Sequence, residues 1–258
     1  MFRELIQYRN LLWMLTLRDI KIRYKQTIMG FLWAIFMPLL IVFAGFIVKK
    51  GFSIVSGKPL ELSELISVSV KSLPYSFFIA SIRFATNSLV GNANLVTKIY
   101  FPREVFPVAA VLANLFDFLL ASFFLVVFLA VAGFQVDTQI IWVPFLVLSL
   151  ILFTTALGML LSCANLFFRD VKYIVEVLVT FAIFFTPVFY DASLFGKWAP
   201  LLLLNPVGAI LENMNNVVIL HRSPDMFWFM YSVLWSVGGL IVSWNVFHKL
   251  EYLFAEKI

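Results

Sequence analysis

Long runs of apolar residues, separated by short polar segments, dominate the pattern of this chain. A helix needs roughly 20 mostly apolar residues to cross a hydrocarbon core about 30 Å thick. Six stretches meet or approach that length, and we predict spans at residues 27–48, 74–95, 105–132, 140–168, 171–189 and 227–247. The pattern therefore predicts an all-α membrane protein with a single transmembrane domain covering residues 1–258.

Residues 1–26 precede the first span and are too polar to cross a bilayer. As a helix, this segment has an apolar face and a basic face, a pattern typical of helices that lie in the membrane interface. The apolar face contains Phe2, Ile6, Trp13, Leu17, Ile20 and Tyr24, and the basic face contains Arg3, Gln7, Arg18, Lys21 and Lys25. We therefore predict an N-terminal amphipathic interface helix.

Two further segments are more polar than the spans. Residues 51–71 form a polar insertion, in which residues 66–70 alternate like a short strand. Residues 190–226 mix apolar runs with glycine, proline and asparagine breaks. For this second segment, between spans five and six, we predict short helices at the outer leaflet that narrow a channel exit. The alternative is a structural cap without a gating role.

The composition supports a membrane location. The chain of 258 residues is 62% hydrophobic and 13% charged, whereas soluble proteins contain about 25% charged residues. With the N-terminus in the cytoplasm, the inner segments contain twelve Lys and Arg residues and the outer segments contain six. We therefore predict that both termini are cytoplasmic, with residues 248–258 as a cytoplasmic tail. The net charge of +5 then reflects topology, and nucleic acid is not a predicted partner.

Residues for catalysis are scarce. His221 and His248 lie on opposite sides of the predicted membrane, and the lone Cys163 lies within an apolar run. The sequence has no phosphate-binding loop and no paired-Asp motif of a metal-dependent glycosyltransferase. We therefore predict a protein that is not an enzyme, has no metal site or cofactor, and takes its energy from a partner or a gradient. A membrane-embedded transferase acting on polyprenyl lipids is the disfavoured alternative.

Three ionisable residues lie within predicted spans: Arg83, Asp117 and Glu176. A charge at the bilayer centre costs roughly 2.5–3.5 kcal/mol on insertion scales, so each side chain needs a partner or water. Arg83 and Asp117 lie at comparable depths in consecutive antiparallel spans, which predicts a structural ion pair between them. Alternatively, one or both face an aqueous channel and contact the substrate. Glu176 lies close enough to the inner boundary to be solvated.

A dense run of aromatic residues ends the fifth predicted span. Rings at positions i, i+3 and i+4 share one helix face, and the candidates are Phe181, Phe184, Phe185, Phe189 and Tyr190. These rings either pack against a partner helix or line a pore. In a pore they would let sugar units slide past, because contact with a ring face is apolar and weakly directional.

Several motifs resemble those of type-2 ABC exporter permeases for polysaccharides. The resemblance begins at residues 18–27, followed by Gly30 and Trp33, and continues at residues 92–104 and Pro107. It extends to residues 169–170, 187–190 and 205–206, and so covers most of the chain in the same order. Within that family, the permeases of O-antigen lipopolysaccharide transporters are the most similar, and those for capsule and teichoic acid are also similar.

This resemblance implies a homodimer of six-span subunits in the inner (plasma) membrane, joined by two copies of a separate nucleotide-binding ATPase that binds the ATP. The implied substrate is a polysaccharide attached to a polyprenyl diphosphate. The interface helix and the loop between spans two and three would contact the ATPase, and the coupling residues of that loop are Asn94, Thr97, Lys98, Tyr100, Phe101 and Pro102. Permeases for drugs or small lipids are the alternative within the same class, and a simple channel is disfavoured.

Capture of a polyprenyl diphosphate requires cations at the inner headgroup level, beside a seam between helices that opens sideways. Two basic groups meet this requirement: Arg18, Lys21, Arg23 and Lys25 precede span one, and Arg169 and Lys172 precede span five. The family resemblance implies that these two spans adjoin across the dimer, so the two basic groups would flank one seam. Arginine donates two parallel hydrogen bonds to a phosphate, which favours Arg23 and Arg169 as ligands. Alternatively, these residues only set the topology, bind anionic lipid or pair locally.

Overall fold

The structure is a computed structural model that describes residues 7–25, 32–57, 62–98, 101–131, 133–134 and 137–254. The described residues contain α-helices and short 3-10 turns, and no strand occurs among them. The α-helices are α1 (Arg9–Tyr24), α2 (Leu32–Ser56), α3 (Leu62–Asn87), α4 (Ala93–Lys98), α5 (Val105–Val131), α6 (Val143–Phe167), α7 (Val171–Phe185), α8 (Ala199–Leu203), α9 (Pro206–Val218) and α10 (Met226–Leu250). The predicted all-α class is confirmed.

Helix α3 lies at the centre of the bundle and contacts α2, α5, α6, α7 and α9. Its most apolar stretch is 72% buried within the protein, against 22–28% for α5, α6 and α10. The helix begins at Leu62 and contains Pro74, so the predicted start of this span at residue 74 is wrong. The predicted strand at residues 66–70 is also wrong, because this segment lies within α3, where Ser69 donates to the Leu65 carbonyl and Ser67 donates to buried Asn215 of α9.

Four helices among the described residues are long and apolar enough to cross a membrane: Ser63–Asn87, Val105–Val131, Thr138–Phe167 and Met226–Leu253. Helix α7 has 15 residues and ends at Phe185, so it rises about 22 Å and is shorter than the predicted span at 171–189. Helix α2 continues to Ser56, beyond the predicted end at residue 48. The six-span count stays a prediction, and residues 27–31 of the first span lie outside the described residues.

Helix α1 packs along α5 through a face that the sequence pattern did not predict. Leu15 and Thr16 are buried, and Tyr8, Leu11 and Leu12 pack beside them. Trp13, on the predicted apolar face, is 62% exposed and lies on roughly the opposite side of the helix. The predicted interface helix is therefore a helix docked on α5, with a second apolar face left for lipid or a partner; residues 1–6 and 26 lie outside the described part.

Helices α6 and α10 form the most extensive pairing in the bundle. The hydroxyls of Ser149 and Ser236 lie 2.9 Å apart and are fully buried, so one donates to the other between the helices. On another face of α6, Gly158 approaches α3 so closely that an added Cβ would lie 2.8 Å from the Ala85 Cβ. Small residues at such contacts let helix backbones approach closely, which is how helices associate where no water drives them together.

The segment between α7 and α10 folds as short helices, and α9 is its longest. Nine residues of α9 are buried, from Val207 to Val217, and the helix packs against α3, α6 and α10. It is therefore part of the bundle core and does not lie on the outer surface. Large apolar side chains are exposed in the preceding Ala192–Trp198 turn and in α8, including Leu194, Trp198 and Leu201, and also at Leu220 after α9.

Candidate functional site

A polar cluster occupies the middle of α5. Asp117 accepts hydrogen bonds from the guanidinium of Arg23, at 2.8 Å, and from the hydroxyl of Tyr24. Arg23 also donates to the Asn114 side chain at 2.9 Å, and its guanidinium lies over the ring of Phe84, 3.9 Å from the centroid. The predicted pairing of Asp117 with Arg83 is therefore wrong, because the end of α1 delivers a different arginine to this carboxylate.

A cavity of about 500 Å³ lies between α1, α2, α3 and α5 beside this cluster. Its polar lining comprises Arg23, Tyr24, Ser76, Arg83, Asn114 and Asp117, and its rings are Trp33, Phe77, Phe84 and Phe118. Two of the predicted channel residues, Arg83 and Asp117, therefore line one cavity although they do not pair. The cavity offers two guanidinium groups and one carboxylate, an arrangement with room for an anionic or hydroxyl-rich ligand.

Arg83 pairs with Glu176 on α7. The guanidinium lies 2.9 Å from a carboxylate oxygen of Glu176 and donates to the Thr180 hydroxyl at 3.2 Å. The side chain of Arg83 is 40% exposed and that of Glu176 is 56% exposed. An exposed charge in hydrocarbon costs several kcal/mol, so the seam between α3 and α7 is suited to water rather than to lipid chains.

The outward face of α7 continues from this ion pair as a row of rings. Val175 and Val179 face the bundle, whereas Phe181, Phe184 and Phe185 are all more than half exposed. The predicted common face holds for these three rings only, because the helix ends at Phe185. Beyond that end, Phe189 packs on the core beside Gly45, and Tyr190 turns back to donate from its hydroxyl to the Phe184 carbonyl at 2.9 Å.

The structure separates the predicted diphosphate ligands. Arg23 is engaged by Asp117, Arg18 pairs with the neighbouring Asp19 at 2.8 Å, and Lys25 is exposed at the end of α1. Arg169 is exposed and makes no ion pair with any residue that the structure describes, so the alternative of pairing with Asp170 is not observed. A capture site must therefore use cations other than Arg23, unless the diphosphate displaces the Asp117 carboxylate from Arg23.

A second, smaller cavity of about 250 Å³ brings Lys172 to the Arg83–Glu176 pair, between α3 and α7. Buried Asn165 of α6 connects the two helices that line this cavity. Its amide donates to the Thr86 carbonyl of α3 at 3.0 Å, and its oxygen accepts from the Lys172 backbone of α7 at 3.1 Å. Sequence reasoning missed Asn165. An asparagine near the end of an otherwise apolar helix, four residues before a basic turn, was the available signal.

A buried lysine was also missed. Lys71 of α3 is 1% exposed, and its ammonium group donates to the side chain of Asp191 at 2.7 Å and to the Tyr190 carbonyl at 2.9 Å. Glu212 of α9 lies 3.6 Å from the same ammonium group. The sequence pattern placed Lys71 in a polar insertion, so its position within a helix, surrounded by two acids, was not predicted.

The comparison with known proteins identifies the family of this chain. The profile of the ABC-2 type transporter family matches residues 10–219. The chain belongs to that family. This ABC-2 transporter protein is the permease subunit of a type-2 ABC exporter: it is a transport subunit rather than an enzyme, and it acts with an ATPase subunit in the membrane. The predicted resemblance is confirmed, and several apolar helices fit a multi-pass inner-membrane protein.

Curated relatives are similar over almost their whole length. An O-antigen export system permease protein RfbA from Myxococcus xanthus is 30% identical over 259 residues, covering 99% of this chain and 98% of the relative. Two proteins of the same name from Klebsiella pneumoniae are each 28% identical and cover 96% of this chain and 94% of their own lengths.

The predicted coupling loop of this ABC-2 permease is partly helical. Helix α4 places Asn94 at the surface; Tyr100 and the side chains of Thr97 and Lys98 lie outside the described part. Phe101 is 7% exposed and its ring packs on Phe106, so this ring cannot contact an ATPase without leaving the core. Pro102 is half-buried beside it.

The C-terminal turn holds the same loop from the other side. The Glu251 carboxylate accepts from the Arg103 backbone at 3.2 Å, and its carbonyl accepts from the Arg103 guanidinium. Buried Phe254 packs edge-on against Phe247, with ring centroids 5.2 Å apart. The described end of the loop, at Phe101 and Arg103, is therefore held against the start of α5 and the turn that follows α10.

Proposed function

We propose that this permease moves a polyprenyl-diphosphate-linked polysaccharide of the O-antigen type out of the cytoplasm. In this proposal two copies of the chain, each with six spans and both termini in the cytoplasm, enclose the polymer path, and two copies of a separate ATPase bind the ATP. The chain itself uses no cofactor. The names of its relatives support this substrate class.

One observation supports the path most directly: the exposed Arg83–Glu176 pair continues into an exposed row of rings on α7. A lipid-facing helix would not display a salt bridge, so this face of α7 is directed toward water or toward the second copy of the chain. In a polymer path, water solvates the ion pair. The apolar faces of the sugars contact Phe181, Phe184 and Phe185. Carbohydrates combine hydroxyl edges with apolar faces and therefore suit this seam.

The two cavities support capture of the diphosphate at the start of that path. Arg83 lines both cavities, Arg23 lines one and Lys172 the other. We place the diphosphate at Arg83 and Lys172, with Arg169 as an exposed outer cation. In this arrangement the Arg83 guanidinium exchanges its Glu176 carboxylate for phosphate oxygens, to which it can donate two parallel, charge-assisted hydrogen bonds.

The proposed function is tested by reconstituting the permease with its ATPase in vesicles. Lipid-linked polysaccharide extracted from the source cells is added, and ATP-dependent protection of the polymer from an added glycosidase is measured. We expect protection and faster ATP hydrolysis with the polymer. If instead drugs or short lipids stimulate hydrolysis and the polymer does not, the permease belongs to the alternative substrate class.

An Arg83→Gln variant is expected to need about tenfold more lipid-linked polymer, or more, for half-maximal ATPase stimulation. The reason is the loss of hydrogen bonds between charged groups, each worth about 1.5–3 kcal/mol. Basal hydrolysis should be retained. The measurement is ATP hydrolysis against polymer concentration in vesicles.

Two matched variants control this result. Glu176→Gln should lower the polymer concentration needed for half-maximal ATPase stimulation, because it releases Arg83 from the Glu176 carboxylate. Arg222→Gln removes another exposed arginine and should leave the curve unchanged. Equal curves for the Arg83→Gln variant and the parent protein would place the capture site elsewhere.

A further inference from the structure

The side chain of Lys71 joins three segments that are distant in sequence. Its ammonium group lies 2.7 Å from Asp191 in the turn after α7 and 3.6 Å from Glu212 on α9. Glu212 in turn accepts from the Ala192 backbone at 3.2 Å. We call Lys71, Asp191 and Glu212 the mouth triad, because they lie where α7 ends and the following short helices begin.

The surroundings of the mouth triad contain two further charges. Lys49 of α2 lies 3.9 Å from Asp191 and 3.8 Å from Glu64 of α3. Burial acts to raise the pKa of Asp191, but the Lys71 ammonium and its hydrogen bond outweigh burial, so the pKa lies below its usual range. Burial raises the pKa of Glu212 despite the same lysine. Lys71 therefore favours the ionised form of both acids.

A second line of contacts leads from the triad to the rings of α7. Lys71 donates to the Tyr190 carbonyl at 2.9 Å, and the Tyr190 hydroxyl donates to the Phe184 carbonyl at 2.9 Å. The Tyr190 ring also lies against Phe195, with centroids 5.2 Å apart. Tyr190 thus links Lys71 to the last turn of α7 through hydrogen bonds, and to the 192–198 turn through the contact with Phe195.

Among the described residues, Lys49 is the other cation that contacts these acids, and its contact is with Asp191 at 3.9 Å. The side chain of Asp191 is 34% exposed and that of Glu212 is 16% exposed, and these two carboxylates repel each other once the ammonium group between them is removed. The turn that carries Asp191 is the part free to move, since Glu212 lies on the buried helix α9, which the Ser67–Asn215 hydrogen bond of 2.6 Å also ties to α3. When Lys71 is replaced, we therefore expect residues 190–192, rather than α9, to move away from the bundle.

We propose that Lys71 is a positioning residue for transport, which holds the 190–192 turn against α3 and thereby fixes the ring-lined end of α7. The polymer part of this inference rests on the proposed function, whereas the position of the turn does not. Lys71 touches no substrate in this proposal and acts through Tyr190 and Asp191.

The position of the turn is measured with a cysteine at Ala192, which is 2% exposed. In an Ala192→Cys background, we compare the rate of labelling by an impermeant maleimide with and without Lys71→Met. We expect labelling to be about tenfold faster, or more, in the Lys71→Met variant, because the turn opens locally. Native Cys163 is buried in the bundle and should stay unlabelled, which reports that the rest of the fold is intact.

Three further variants separate positioning from simple destabilisation. Lys50→Met removes an exposed lysine and should leave labelling unchanged. Lys71→Arg keeps the cation and should restore slow labelling. The triple variant Lys71→Met/Asp191→Asn/Glu212→Gln removes every charge of the mouth triad, so no carboxylates repel each other there, and labelling should be slower than in the Lys71→Met variant.

The outcomes decide the two claims separately. Slow labelling of the Lys71→Met variant would overturn the positioning role, whatever the substrate. Fast labelling together with export at the parental rate would show that the turn moves without affecting transport. It would overturn the claim that Lys71 supports transport by holding the turn. If the parent protein exports no lipid-linked polymer at all, the proposed function fails, while the labelling result still decides whether Lys71 holds the turn.

Discussion

An Arg23→Gln variant is expected to lose about 3 kcal/mol of stability and most of its export activity. The substitution leaves the Asp117 carboxylate in the middle of α5 without its cation, and breaking a buried pair from one side costs about 3–5 kcal/mol. We expect the lower end of that range because about a fifth of the pair is exposed. The measurement is the midpoint of thermal unfolding of the purified permease in detergent.

The double variant Arg23→Gln/Asp117→Asn tests the reason for this loss. It removes both charges and leaves amides that can still bond to each other, so most of the stability should return. Arg18→Gln serves as the control, because Arg18 pairs with its neighbour Asp19 at the surface and such pairs contribute less than about 1 kcal/mol. Equal losses in the single and double variants would show that Arg23 stabilises the bundle in some other way.

Export is a second measurement on the same double variant. If stability returns and export returns with it, Arg23 has a structural role only. If stability returns and export stays low, Arg23 also contacts the substrate, as the sequence analysis predicted. Both results are interpretable, because the Asp117→Asn substitution removes the cause of the instability.

Replacing Phe181, Phe184 and Phe185 together by Ala is expected to reduce polymer export at least about tenfold. Aromatic contacts contribute about 0.5–1.5 kcal/mol each beyond the area they bury, and three rings act along one path. The fold of the single chain should survive, because these side chains are exposed on α7. The measurement is the rate of polymer protection in the vesicle assay, at saturating ATP.

Other exposed rings provide the matched control for this triple variant. Phe123, Phe128 and Phe227 are exposed to a similar extent on α5 and α10, and their replacement by Ala should leave export near the parental rate. The alternative function of the α7 rings is packing against a second copy of the chain. A triple α7 variant that becomes monomeric, as judged by cross-linking in the membrane, would support that alternative over a polymer path.

The order and type of the helices could be predicted from local pattern alone. Each predicted span contains a helix in the structure, and four of these helices, such as Val105–Val131, are long and apolar enough to cross a membrane. A run of about 20 apolar residues has few stable conformations in a bilayer other than a helix, because every backbone group must be hydrogen-bonded within the segment. This signal is strong, and it does not depend on tertiary contacts.

The boundaries of the central helix could not be predicted in the same way. Residues 62–73 include Glu64, Ser67 and Lys71, which look like the polar residues of a loop. In the structure Ser67 donates to Asn215, 148 residues later, and Lys71 pairs with Asp191, 120 residues later. Polar residues are acceptable within a buried helix only when such partners exist, and a local pattern contains no information about them.

The candidate site shows the same limit. The sequence identified Arg83, Asp117 and Glu176 correctly as charges that require partners, since their depth within apolar runs is a local property. It paired Arg83 with Asp117 because consecutive spans are the obvious neighbours. The true partner of Asp117 is 94 residues earlier, on a segment outside the spans, and Arg83 instead reaches α7.

The sequence by itself determined that this protein is built of apolar helices long enough to cross a membrane, and its motifs indicated the permease family. The helices follow from hydrophobic length, which acts residue by residue against a uniform solvent. Only the tertiary structure decided how the charged side chains pair and which face of α1 packs on the bundle. It also decided that α9 lies inside the bundle. Each of those outcomes depends on a contact between segments far apart in the chain, where several pairings satisfy the local pattern equally and packing selects one.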